Sequence, residues 1–272
     1  MLTIILFTIN IGVALSGIYI FDYQVDNYIN DPLVILLSII TGWVVMFIVL
    51  AIYMEGLYIL VAKRKPQTSM LKHKIAKQMV SGPMHFMNMR TKVIGIENLP
   101  KEGGFSIYSN HTSMFDIPLL MYKLYEYPVA FLAKDVVGRL FAVGKWTPEL
   151  GCVMFDRSDD RKGAEAIIKV IRNVKSGSAM VVFPEGTRSK EIGTLLEFKQ
   201  GSFKVALKSK SPLVPMTIVK PKNYDKIIWP FRRRATLVIH KPIPFEELKT
   251  MKTLELSQKV ESIIASSLNT IY

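Results

Sequence analysis

Three short segments hold side chains whose types and spacing suit acid–base and anion chemistry. The first is Ser109-Asn110-His111-Thr112-Ser113-Met114-Phe115-Asp116. His111 and Asp116 are five residues apart, so one regular helix would not stack them on the same face. They meet if His111 sits in a turn and Asp116 begins the helix that follows. Asp116 would then hold one ring nitrogen and leave the other to take a proton. The second segment, Gly151-Cys152-Val153-Met154-Phe155-Asp156-Arg157, is a strand-like run ending in an acid and a guanidinium that could grip a phosphate. Asp159, Asp160, Arg161 and Lys162 follow closely, so surface charge is the alternative reading of Arg157. The third is Phe183-Pro184-Glu185-Gly186-Thr187-Arg188-Ser189, where Pro184 and Gly186 make a tight turn presenting Glu185 and Arg188. Arg188 offers the planar fork that matches a pair of phosphate oxygens. Gly186 lets backbone approach a ligand closely.

Two weaker signals accompany these. Lys199, in Phe198-Lys199-Gln200-Gly201, could add positive charge near a substrate, and Leu213–Ile218 reads as a buried strand containing Pro215. Four histidines, His73, His85, His111 and His240, are scattered without metal-ligand spacing, so no metal site and no cofactor are expected. The single cysteine, Cys152, rules out an internal disulfide and lies on an apolar run with no histidine nearby, a poor setting for a nucleophile. Ser113 and Ser189 stay open as nucleophiles.

The elements that must position these groups alternate. Strands are expected at 93–96, 105–109, 128–133, 179–183, 213–219 and 235–240. Helices are expected at 69–89, 116–124, 163–174 and 201–210, with a closing amphipathic helix from 245 to about 267. Alternation of this kind argues an α/β fold, a mixed sheet covered by helices. The His111 and Glu185 segments each follow directly on an apolar strand, and the carboxyl ends of such strands are where ligands bind.

Ahead of this body stands a different kind of sequence. Residues 1–62 contain no Lys or Arg, and only four acids: Asp22, Asp26, Asp31 and Glu55. The remaining 210 residues hold all 35 basic residues against 18 acids, a net charge of +17. Residues 1–21 and 33–54 are apolar runs long enough to span a bilayer, joined by an acidic connection, and the second is followed by Lys63-Arg64-Lys65. Positive residues flank the cytoplasmic side of a span. The expectation is a membrane-anchoring two-helix hairpin over 1–65 and a cytoplasmic catalytic domain over 66–272, at the cell membrane. A re-entrant hairpin is the alternative to a spanning one. A cleaved signal peptide is disfavoured by the missing basic n-region. The basic helix expected at 69–89 either lies on the bilayer or caps the domain. The basic body suits anionic membrane lipids; nucleotide-binding glycine motifs are absent, and nucleic acid is not the expected partner.

Taken together and in order, the segments resemble the glycerolipid acyltransferase family, in particular its 1-acyl-glycerol-3-phosphate acyltransferases. The family's His-x4-Asp block is matched by His111 and Asp116, its Asp-Arg block by Gly151 to Arg157, its Phe-Pro-Glu-Gly-Thr-Arg-Ser block by Phe183 to Ser189, and its Val-Pro block by Val214-Pro215. The approach to the second block, Gly144 to Glu149, is wetter than the family's usual run. The resemblance covers roughly 90–240. It implies transfer of a fatty acyl group from acyl-CoA or acyl-carrier protein to the sn-2 hydroxyl of lysophosphatidic acid, giving phosphatidic acid. His111 would be the general base, oriented by Asp116. Glu185 would shape the site and hold the Arg or substrate hydroxyls. Arg157, Gly186, Thr187, Arg188 and Lys199 would receive the substrate, and backbone donors near Gly186 would meet the developing oxyanion. The rivals are the same transfer onto another lysophospholipid or glycerol 3-phosphate, and a catalytically silent lipid-binding protein.

Overall fold

The computed structural model describes residues 32–139, 143–155, 160–226 and 230–270, with isolated positions before residue 20. Most of the expected first helix of the hairpin, and the whole of its acidic connection, lie outside the described residues. Two compact units divide between Arg64 and Lys65.

In the first unit, helix α1 (Pro32–Leu57) runs straight into a π-helical turn at Tyr58–Ala62. Its 26 residues rise roughly 39 Å, more than a bilayer's hydrocarbon core needs. The window Ile35–Ala62 has a mean hydropathy of 2.8. Leu37, Ile39, Phe47, Ile48, Val49 and Tyr53, which point to all sides of the helix, are exposed, which suits lipid on every side better than a single buried stripe. Intrinsic propensity alone would not favour so many β-branched residues in a helix.

The second unit is a seven-stranded sheet in the order β1-β7-β6-β2-β5-β3-β4. The strands are β1 (Met89–Ile94), β2 (Phe105–Ser109), β3 (Val129–Lys134), β4 (Val153–Phe155), β5 (Ala179–Val182), β6 (Leu213–Val219) and β7 (Arg233–Ile239). Every pairing is parallel except β6 with β7, so the sheet is mixed, as the sequence predicts. β2, β5 and β6 are buried throughout because both faces of the sheet are covered. One face packs Phe105, Ile107, Phe131, Val181 and Val214 against Met84 of α2 (Met70–Phe86) and Leu119 and Leu120 of α3 (Asp116–Lys123). The other packs Tyr108, Met180 and Val182 against α5 (Asp160–Lys175), α6 (Lys204–Ser209) and α8 (Thr253–Thr270). In α5, Ala166, Val170 and Val174 point inward at four-residue spacing; in α8, Leu256, Val260, Ile264 and Leu268 do the same.

Several boundaries differ from expectation for identifiable reasons. β1 starts four residues early because its register with β7 begins at Met89 opposite Arg233. It stops before Gly95, whose positive φ of 79° and close approach to the Ile239 carbonyl admit only glycine. α4 (Val143–Glu149) holds the helix breakers Gly144 and Pro148, yet buried Trp146 and Thr147 anchor it. The closing helix is broken: α7 (Phe245–Leu248) ends where Thr250 Oγ1 donates to the Glu247 carbonyl, before α8 begins. α2 buries Lys72, His73, Ile75 and Ala76, and Lys72 Nζ donates to the Glu149 carbonyl at 3.0 Å, so this helix caps the domain.

Candidate active site

Three neighbouring strands, β6, β2 and β5, end at one edge of the sheet, and the loops leaving them build the site. Asn110, the first residue after β2, continues the ladder with its side chain. Its Nδ2 donates to the Ile218 carbonyl at 3.0 Å, and the Ile218 amide donates back to Oδ1 at 2.8 Å. The chain then turns so that His111 precedes the helix Asp116 opens.

The two meet as the spacing predicts. His111 Nδ1 lies 2.9 Å from Asp116 Oδ2. A carboxylate can only accept, so Nδ1 donates and the proton-free Nε2 is the ring nitrogen left for a reacting hydroxyl. Asp116 Oδ2 also accepts the amides of Thr112 and Ser113, each at 2.9 Å. The aspartate therefore folds the loop ahead of its helix and fixes the imidazole at once. Burial pushes the Asp116 carboxyl up, but the hydrogen bond from His111 and the charge of Lys220 outweigh it, and the net direction is down.

Lys220 is the residue that sequence reading misses. It directly follows β6, is fully buried, and its ammonium pairs with Asp116 Oδ1 and donates to Thr112 Oγ1 at 3.0 Å. The only signal was its place, a charge straight after a seven-residue apolar strand at the sheet's carboxyl edge.

His111 is held from every side. Its ring stacks on Phe183, centroids 4.1 Å apart and planes 18° apart. Its amide donates to Glu185 Oε1 at 2.7 Å, and its carbonyl accepts the Ser189 amide at 2.8 Å. Glu185 Oε2 accepts the Leu196 amide at 3.0 Å. Glu185 thus ties the β2 loop to the β5 loop through backbone amides, instead of gripping the Arg188 side chain. Burial pushes its carboxyl up to about 7.

Gly186 turns with a φ of 70°, and its amide donates to the Phe183 carbonyl at 3.0 Å, so that donor is already engaged in the turn. The Lys199 side chain lies against its α-carbon. Thr187 and Arg188 follow on the exposed side of the turn. The structure therefore gathers His111, Asp116, Glu185, Gly186 and Lys199, with Thr187 and Arg188 at the rim. Arg157 lies outside the described residues. A cleft of about 730 Å³ opens beside this group, lined by Leu132, Phe155, Ile167, Ile171, Phe183 and Lys199 among others.

The alternative nucleophiles are otherwise engaged. Ser113 Oγ donates to Asp225 Oδ1 at 2.6 Å and Ser189 Oγ to the Glu191 carbonyl at 2.9 Å. Burial pushes the Cys152 thiol up to about 12, which keeps it protonated.

Comparison with known proteins agrees with this geometry. A family model described as Acyltransferase matches residues 90–219. A 1-acyl-sn-glycerol-3-phosphate acyltransferase of Borreliella burgdorferi is 30% identical over 181 residues, covering 66% of this chain and 72% of its own. The enzyme of that description from Saccharomyces cerevisiae is 32% identical over 193 residues, 68% of this chain and 62% of its own. The crystal structure of the 1-acyl-sn-glycerophosphate acyltransferase PlsC from Thermotoga maritima superposes with a TM-score of 0.61 at 27% identity, covering 72% of this chain and 78% of the other.

Proposed function

The chain belongs to the acyltransferase family related to the 1-acyl-sn-glycerol-3-phosphate acyltransferases, and from that premise we propose that it moves a fatty acyl group from acyl-CoA or acyl-carrier protein to the sn-2 hydroxyl of lysophosphatidic acid. The observation that carries the mechanism is the buried His111–Asp116 pair. His111 Nε2 takes the proton of the acceptor hydroxyl as the oxygen attacks the thioester carbonyl. The tetrahedral intermediate collapses and expels the carrier's thiolate, to which the imidazolium can return the proton. Asp116 stabilises the imidazolium without taking its proton. The amides of Thr187 and Arg188, on the exposed side of the turn after β5, are the donors we assign to the oxyanion. The apolar cleft receives an acyl chain, and Arg188 with Lys199 receives the acceptor's phosphate.

An acceptor panel tests the substrate assignment. Purified protein given each donor is expected to use lysophosphatidic acid well ahead of lysophosphatidylcholine or glycerol 3-phosphate. Arg188→Ala should lose about tenfold or more in kcat/KM for lysophosphatidic acid, in line with one charge-assisted contact, and Arg188→Lys much less. Equal use of lysophosphatidylcholine, whose phosphate is capped by choline, or an Arg188→Ala enzyme with unchanged kinetics, would remove the phosphate assignment.

The protein is membrane-associated through its apolar N-terminal helix. We place the catalytic domain, residues 66–272, on the cytoplasmic side and the anchoring hairpin in 1–65, supported by Lys63-Arg64-Lys65 after the second run. With Cys152 replaced, a cysteine at Asn27 should react with an impermeant reagent in intact cells and one at Lys222 should not. Protection of both until permeabilisation would favour a re-entrant hairpin instead.

A further inference from the structure

A second concentration of charge lies away from His111. A pocket of about 420 Å³ opens where β1 and β7 meet α3, and its lining includes Arg90, Lys92, Lys123, Arg232 and Arg234. None of its described lining residues is a carboxylate. Arg90 and Arg234 are direct cross-strand partners, so two guanidiniums project side by side from one face. Like charges in that relation repel unless an anion sits between them. Lys123 registers the same field: burial, then the charges of Lys77 and Arg90, lowers its pKa.

The setting indicates the source of the anion. β7 runs antiparallel to β6, so its first residues lie at the sheet edge where Lys220 reaches Asp116. Three strand spacings, roughly 14 Å, separate β1 from β2. Large apolar side chains stand exposed at that edge: Phe86 beside His85, Phe231 beside Arg232, both 71% exposed, and Met114 on the His111 loop at 67%. A soluble phosphate would account for the arginines but leave these side chains in water. A bilayer interface accounts for both, because it offers anionic headgroups over an apolar layer.

We infer that the β1–β7 pocket seats the phosphate of an anionic phospholipid of the bilayer, while Phe86, Phe231 and Met114 enter the interface beside it. The catalytic domain thereby holds its own grip on the membrane, with the carboxyl edge of the sheet turned toward the layer that supplies the acceptor. This inference rests on the membrane reading above, and not on the reaction.

The test uses full-length protein in neutral detergent doped with phosphatidylglycerol or phosphatidylcholine, with retained lipid counted by native mass spectrometry. Wild-type protein should retain phosphatidylglycerol in preference to phosphatidylcholine. R90A/R234A, which removes two near-surface charges, should retain it roughly thirtyfold more weakly. If that variant fails to unfold at the wild-type temperature, K92A/K123A is read the same way. Undiminished retention by a folded double variant, equal retention of phosphatidylcholine, or no retention by wild type would overturn the site. Displacement of the lipid by millimolar inorganic phosphate would reassign it to a free anion. His111→Ala protein should retain the lipid while losing transfer, so a failure here and a failure of the catalytic reading give different results.

Discussion

Replacing His111 with alanine is expected to lower acyl transfer by about 10²–10⁴-fold, the range that a positioned general base contributes, with the fold intact. The size follows from how completely the site is organised around that ring. Nδ1 is committed to Asp116, one face lies on Phe183, and both backbone polar groups are taken up by Glu185 and Ser189. Only Nε2 is left to accept a proton, and the other described imidazoles are engaged elsewhere: His73 with the Gln67 carbonyl, His85 with the Ser81 carbonyl and the Tyr122 ring, and His240 with Thr217. Asp116→Ala should be nearly as severe, since it frees the ring and removes the acceptor of the Thr112 and Ser113 amides. Initial rates with matched unfolding curves decide it. Turnover within a few-fold of wild type in folded His111→Ala protein would end the general-base account.

Lys220→Met is expected to destabilise the fold severely. It removes one partner of a fully buried ion pair, and an orphaned buried charge of this kind costs about 3–5 kcal/mol. The sign with pH follows from Asp116, whose folded pKa is depressed. Such a carboxylate stabilises the fold above its unfolded pKa, near 3.9, and that contribution disappears as pH falls through the folded value. Without Lys220 the carboxyl loses the charge that helps His111 hold it down and moves upward, so stability should decline already at higher pH. Transfer should also fall, with the acid limb of its pH profile moved upward, because a protonated Asp116 no longer favours the imidazolium. Lys220 touches no reacting atom and acts through Asp116. The double variant D116N/K220M should recover part of the lost stability while staying inactive, since both charges leave together. A Lys220→Met protein with wild-type unfolding and an unshifted pH profile would show the pair to be incidental.

What the sequence disclosed and what it hid follow from the range of each interaction. His111 and Asp116 are five residues apart, next to a strand of unmistakable composition, so local geometry alone brings them together. β2 and β6 were legible to the residue because each is a short, mostly apolar run bounded by turn residues, buried on both faces. Lys220 was hidden because its partner lies 104 residues away, across a strand order that single-sequence patterning does not provide. Glu185 shows another limit. A glutamate beside an arginine in a tight turn reads as a side-chain partner for it, yet its oxygens accept the amides of His111 and Leu196, 74 and 11 residues distant. The cross-strand pairing of Arg90 with Arg234 depends on the β1–β7 register and was equally invisible. α4 escaped because Gly144 and Pro148 argue against a helix, and only the buried indole of Trp146 outweighs them.

The central claim is direct acyl transfer from a thioester to a lysolipid hydroxyl, and rapid-quench mixing of purified full-length protein with labelled acyl-CoA or acyl-carrier protein tests it most directly. Donor alone should leave no label on the protein. Addition of lysophosphatidic acid should yield phosphatidic acid labelled at the sn-2 position, in wild-type protein and not in His111→Ala. A stoichiometric acyl-protein formed before acceptor is added, or no phosphatidic acid from either donor, would contradict the account.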